Sequence, residues 1–305
     1  VNNTWTLTKI RIVLALRNKT FIVFGLVMPL AFLFFFILIF GKGRSGWIAY
    51  ILGSVLTLSV MGSFWGLSVQ LIMFREQGIL RRFRLTPVGA GAMLASSILS
   101  NYALIIPTIA IEIILCRLFF HMNTWGNIPQ VFLLITIGAA TFSSFGLIVA
   151  SVTNSMQETQ VINNLIWSAF LFLSGTTVPL AAFPVWIRHV ALFLPATYLA
   201  TGLQAAMTNM ATTSEVLTDV TALAIGLIAS FEISRQLFRW EPEAKVPGRA
   251  KLWVVVAMIP FLVFGTYESV KGTMLNQVQH QFRALDSQSS TQSASPSSQD
   301  APNSK

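Results

Sequence analysis

The sequence predicts an all-α integral membrane protein with several spans, and three observations carry that prediction. Hydrophobic residues make up 54% of the chain and charged residues only 10%, against roughly 25% charged in an ordinary soluble domain. No Asp, Glu, Lys or Arg occurs in 20–41, 45–74, 85–111, 118–157, 159–187 or 189–214, and each window can hold the roughly 20 apolar residues that a spanning helix needs. The charges gather between these windows, with a formal net charge of +9. In so apolar a chain a basic excess reports membrane orientation and not nucleic-acid binding. A single cysteine, Cys116, excludes a disulfide scaffold and reads as a small apolar packing residue.

Taken in order, residues 1–19 read as an amphipathic interfacial helix. Leu7, Ile10, Val13 and Leu14 fall on one face, and Trp5 suits the headgroup level. Span one, 20–40, is too long for a signal-peptide core and lacks a small-residue cleavage site, so it reads as retained. Span two follows at 47–74, span three at 91–118, span four at 128–152, span five at 160–180 and span six at 217–238. A shorter apolar run at 252–268 reads as a seventh span within an extra segment, 241–285. The Ser- and Gln-rich tail, 286–305, has no large apolar residue and is expected to be disordered.

Loop charges give the orientation. The N-terminal segment carries Lys9, Arg11, Arg17 and Lys19; the loop after span two carries Arg75, Arg81, Arg82 and Arg84; the loop after span six carries Arg235, Arg239, Lys245, Arg249 and Lys251. These segments share one side, which puts the N-terminus in the cytoplasm. Seven spans then put the C-terminus outside.

The chain offers no catalytic or metal site. It has no GxxxxGK[ST] phosphate loop, HExxH, CxxC or GxSxG, and His121, His189 and His280 are scattered. An ion-coupled carrier or membrane-embedded enzyme needs clustered ionisable groups within the bilayer. The single candidate, Glu112 in span three, reads as a solvated residue at the outer boundary near Arg117, with a substrate or gating contact as the alternative. Asn101, Tyr102, Asn163 and Asn164 either line a cavity or hold the bundle together by interhelical hydrogen bonds, and Gly62-x-x-x-Gly66 has the spacing of a helix-packing motif. Phe32 and Phe34 to Phe36 face lipid or a partner.

The loop after span two is short, basic and amphipathic, a suitable lever between two long helices. Its run Glu76-Gln-Gly-Ile-Leu-Arg-Arg-Phe-Arg-Leu-Thr-Pro87 resembles the loop between the second and third spans of ABC-2 type exporter permeases, where it forms a cytoplasmic coupling helix. A second run, Phe172-Leu-Ser-Gly-Thr-Thr-Val-Pro-Leu-Ala-Ala-Phe-Pro184 followed by Leu194-Pro-Ala-Thr-Tyr198, resembles the same family's close of span five and the external re-entrant hairpin after it. The physics agrees there. Gly175, Pro179, Pro184 and Pro195 break the helix, and non-helical backbone at that depth must be buried in protein or line a wet cavity.

The resemblance covers 1–240 and implies a six-helix ABC-2 type permease bundle. It implies coupling residues Arg75, Glu76, Gly78, Leu80, Arg81, Arg82, Arg84, Thr86 and Pro87, and an outer gate of Ser174, Gly175, Pro179, Pro184, Pro195, Thr197 and Tyr198. It further implies a separate ABC ATPase subunit that binds ATP and Mg, and a second permease copy or homologous permease. Membrane lipids surround the chain, and the cargo is a hydrophobic or amphipathic compound, drug-like or lipid-linked, moved outward across the inner (plasma) membrane. Export of a lipid-linked polysaccharide is the nearer rival. A non-transporting partner of a membrane ATPase is a more distant one. The seventh span departs from the family pattern of six spans and a cytoplasmic C-terminus.

Overall fold

The computed structural model of the chain describes residues 2–17, 23–41, 45–85, 88–240, 249 and 252–294. Among them every regular element is helical. The first is α1, Asn2–Arg17. A π-helical turn, Val23–Val27, then leads into α2, Met28–Phe40. The long α3, Ser45–Glu76, turns through Gly78 into the short α4, Ile79–Arg84. Next come α5, Ala90–Phe119, α6, Ile128–Val152, and α7, Met156–Leu173. A 3-10 turn at Leu180–Ala182 precedes α8, Val185–Ala191, and α9, Pro195–Met207. The chain continues through α10, Thr213–Leu237, α11, Leu252–Ala257, α12, Ile259–Lys271, and α13, Thr273–Ala294.

Among the described residues four helices, α3, α5, α6 and α10, are by themselves long and apolar enough to cross a membrane. The centre is built from α3, α6 and α9, and every residue of α9 is buried. Lipid tails are as apolar as leucine, so close packing holds such a bundle and small residues mark its crossings. Here they are Gly146 of α6 against the backbone of Phe64 in α3, and Gly53 of α3 against the backbone of Gln204 in α9. A second core forms at the α4 end, where Leu7, Leu71, Leu80, Met93 and Leu147 meet.

Two expected spans are broken or shorter than the apolar runs that suggested them. Span one, expected over 20–40, is helical throughout its described part, a π-helical turn at Val23–Val27 running into α2 with Pro29 in its first turn; residues 18–22 lie outside the described residues. Span five, expected to 180, stops at Leu173, because Gly175 takes a φ of +85°, a left-handed conformation that suits glycine. α8 and α9 then meet at a 100° bend, with Pro184 before α8 and Pro195 at the start of α9; this bent pair is termed the hairpin. Span seven, expected as one helix over 252–268, is two helices broken at Met258. Pro260 has no N–H to donate and its ring blocks the preceding turn's carbonyl.

These two pieces pack along α6 and α10, with the Phe261 ring 5.9 Å from that of Phe145 and 6.0 Å from that of Tyr198. They deliver α13 to the hairpin end of the bundle, opposite α1 and α4. There Val278 packs with Leu180 and Ala191, the Phe282 ring lies 5.6 Å from Trp47, and Gln281 Nε2 donates to Thr208 Oγ1 at 2.9 Å. The expected disorder from 286 is corrected over 286–294, which continue α13. Met274, Val278 and Leu285 anchor the helix, and once a nucleus exists each further residue adds its hydrogen bond cheaply. Residues 295–305 lie outside the described residues.

Candidate functional site

The α4 end is assembled from local signals. Gly78, at φ +68°, makes the reversal between α3 and α4 that a residue with a Cβ would strain. Leu80 is buried in the second core and pins α4 to the bundle. Arg81, Arg82 and Arg84 are exposed, as is the apolar Leu85 beside them, 89% exposed. This face is basic with one projecting leucine. Thr86 and Pro87 lie outside the described residues.

Two of the expected docking residues bond to the bundle instead, Arg75 from a buried position and Glu76 from an exposed one. Arg75 is buried, and its guanidinium donates to the Ala150 carbonyl at 2.9 Å and the Thr153 carbonyl at 2.6 Å. Glu76 Oε1 accepts from the Met156 backbone N–H at 2.8 Å. The motif reads as one unit in sequence, but its first two residues grip the α6–α7 turn while its later arginines face away.

α1 packs on α5 beside this end. Ile10, Val13 and Leu14 are exposed, while Thr8 and Arg11 join Leu7 on the buried side. An apolar stripe turned from the protein suits a helix lying on a leaflet. Arg11 donates to Ser97 Oγ at 2.6 Å and to Gln70 Oε1 at 3.4 Å, and sits over the Phe74 ring. Burial pushes its guanidinium down to about 10. Arg11→Ala is expected to cost about 2 kcal/mol, as hydrogen bonds to charged groups do, and to lower the thermal unfolding midpoint in detergent. An unchanged midpoint would show that α1 is not held by this contact.

At the opposite end each residue of the second motif has a structural role. Ser174 and Thr176 share a hydroxyl–hydroxyl hydrogen bond. Pro179 precedes the 3-10 turn, Pro184 precedes α8 and Pro195 opens α9. Thr197 Oγ1 donates to the Ala191 carbonyl at 2.6 Å and the Tyr198 hydroxyl to the Leu192 carbonyl at 2.8 Å. Irregular backbone inside the bundle thereby keeps its hydrogen bonds. Sequence reading missed Gln204, a buried amide in the alanine-rich α9. Its Nε2 donates to Ser54 Oγ at 2.9 Å and to the Gly175 carbonyl at 3.0 Å, which ties the hairpin to α3. A lone glutamine in so apolar a helix was the available signal.

Between α2, α3, α5 and α7 lies a cavity of about 470 Å³. Its walls are mostly apolar, from Phe32, Leu58, Leu104 and Ile105, with Trp65 and Trp167 edge-to-face at 6.2 Å. Gly62 and Gly66 open onto it, and a Cβ at either would meet nothing within 4 Å. Within the described residues of the chain neither glycine packs against another helix. Ser59, Ser63, Asn101 and Thr108 supply the polar groups, and Ser63 Oγ is buried without a hydrogen-bond partner.

Of the five residues expected at a cavity, Asn101 alone is on its wall. Tyr102 shares a hydrogen bond with Thr136 Oγ1 at 2.8 Å, Asn163 donates to Ser68 Oγ at 2.5 Å, and Asn164 is exposed. Glu112 is not the solvated boundary residue expected. It is fully buried, and its Oε1 accepts from Ser59 Oγ at 2.6 Å, one hydroxyl from the cavity. Arg117 turns away to the Met122 carbonyl and the Trp125 ring.

Comparison with known proteins agrees with this architecture. Residues 2–208 match the family model of the ABC-2 type transporter. The chain is 24% identical over 195 residues to the "Putative transport permease YvfS" of Bacillus subtilis (strain 168), an overlap of 61% of this chain and 78% of that protein. It is also 24% identical over 160 residues to the "Linearmycin resistance permease protein LnrN" of the same organism, covering 52% of this chain and 41% of that protein.

Proposed function

The chain belongs to the ABC-2 type transporter family, a multi-pass membrane subunit of a transporter, and from that premise we propose that it is the permease of an ATP-driven exporter. A separate ATPase chain, binding ATP and Mg, docks on α4 and powers the motion. The observation that carries this reading is the division of labour at α4. Leu80 roots the helix in the bundle while Arg81, Arg82, Arg84 and Leu85 project from it, a basic surface around one apolar knob that suits a groove on a cytoplasmic partner. With α4 in the cytoplasm, the hairpin and α13 face outward.

The cargo is a hydrophobic or amphipathic small molecule. About 470 Å³ falls within the roughly 300–1,000 Å³ of small-molecule pockets, and a mostly apolar wall with a few hydroxyls and one amide suits such a compound. The relative named for linearmycin resistance supports a drug-like class. A second permease, identical or homologous, completes the pathway.

Purification of the tagged protein in mild detergent, with mass spectrometry of what accompanies it, tests the proposal. A stoichiometric partner of about 25–35 kDa with a phosphate loop is expected, the size one such domain needs. Replacing Arg81 and Arg82 together by alanine should leave the permease folded and deplete that partner. A permease that purifies alone, even after mild crosslinking, would refute the proposal.

A further inference from the structure

The carbonyl of Thr153, just past the end of α6, accepts hydrogen bonds from two arginines of different helices. Arg75, at the end of α3, reaches it at 2.6 Å, and Arg239, just beyond α10, reaches it at 2.7 Å. Arg75 also takes the Ala150 carbonyl at 2.9 Å; Arg239 also takes the Ser151 carbonyl at 3.0 Å and Asn154 Oδ1 at 3.2 Å. The last carbonyls of a helix have no partner within it and form its negative pole, so guanidinium groups bond there with charge assistance.

Two guanidiniums on one carbonyl repel each other. Burial pulls the Arg239 guanidinium below its ordinary value, and the nearby Glu158 acts in the opposite sense. Glu158 Oε2 accepts from the Asn154 N–H at 2.7 Å, and Glu76 accepts from the Met156 N–H at 2.8 Å. The ends of α3, α6 and α10 and the start of α7 therefore converge on residues 150–158. α4 joins this junction through the turn at Gly78, and α7 leads from it directly to the hairpin at Ser174.

We propose that Arg239 is a positioning residue of a shared joint, opposed to Arg75. A displacement of α4 passes through Arg75 and Glu76 to the α6–α7 turn and along α7 to the hairpin, while Arg239 holds the end of α6 to α10 as the stationary side. Without Arg239 the end of α6 follows α3, and the relative motion that moves the hairpin is lost. This rests on the ATP-driven reading above.

The test needs no identified cargo. Val178, on the hairpin, is 38% exposed, and the one native cysteine, Cys116, is buried. The permease–ATPase complex carrying Cys116→Ser and Val178→Cys is placed in lipid nanodiscs, and maleimide labelling is timed with and without ATP and vanadate. With native Arg239, labelling is expected to change by roughly fivefold, the lower end of ordinary coupling between sites. Arg239→Ala should keep the ATPase bound and hydrolysing while labelling becomes indifferent to nucleotide. Arg239→Lys, which keeps the charge without the fork, should regain part of the response.

An Arg239→Ala complex that responds as native Arg239 does overturns the joint alone. So does an active native complex with no nucleotide-dependent labelling. Loss of the ATPase from both Arg239 variants would also overturn it, because that marks an assembly role. A native complex with no ATPase activity would instead refute the exporter reading on which the joint rests.

Discussion

Gly146→Val is expected to leave little folded protein in the membrane. A Cβ at this position would overlap the carbonyl oxygen of Phe64 and lie 3.0 Å from its carbonyl carbon. These atoms are backbone of α3, so no rotamer change relieves the clash and α3 and α6 must separate. Overpacking commonly costs about 1–3 kcal/mol and sometimes more, and this contact sits where the two central helices cross. The loss should appear as a lower unfolding midpoint and a smaller monodisperse peak in detergent chromatography. Gly62→Ala is the matched control, since a methyl there meets nothing within 4 Å. If Gly146→Val were as stable as that control, the close crossing of α3 and α6 would be wrong.

Gly62→Phe is expected to do the opposite: the protein folds and transport fails. Gly62 and Gly66 lie one turn apart on the cavity wall, next to Trp65. A phenyl ring at 62 projects into the space that cargo would occupy. Losing about 1.4 kcal/mol of cargo contact is already tenfold in affinity, and blocking the site should exceed that. The measurement pairs the unfolding midpoint with ATP-dependent efflux of a hydrophobic dye from cells carrying the transporter. A folded Gly62→Phe protein that exports the dye as the parent does would show that the cavity is not on the path.

The contrast between these glycines shows how far the sequence was legible. Gly62 and Gly66 have the packing spacing, yet among the described residues no other helix of this chain packs on them. Gly53 and Gly146 have no such partner spacing, yet another helix's backbone crosses each of them. Spacing along one helix is local information, whereas a crossing depends on a second helix distant in the chain. The same limit explains Arg75 and Glu76, which stand within the recognised motif but bond to residues 150–156. It explains Asn163 as well, whose partner Ser68 is on α3. The C-terminal segment was read from its apolar run as a single span, and the break beside Pro260 was missed. The anchored face of α13 appears only once Leu180 and Ala191 are brought beneath it.

Membrane residence, the long spans and the breaks at Gly175, Pro184 and Pro195 were determined by sequence alone. Each follows from a property of neighbouring residues: the length of an uncharged apolar run, a missing N–H, or a missing Cβ. Tertiary structure decided which face of α4 is exposed, where the cavity lies, that Glu112 is buried on Ser59, and that Arg75 and Arg239 share the end of α6. Those outcomes depend on groups tens of residues apart in the chain. Inside a membrane a buried polar group is paid for only by a partner, and packing alone chooses which partner arrives.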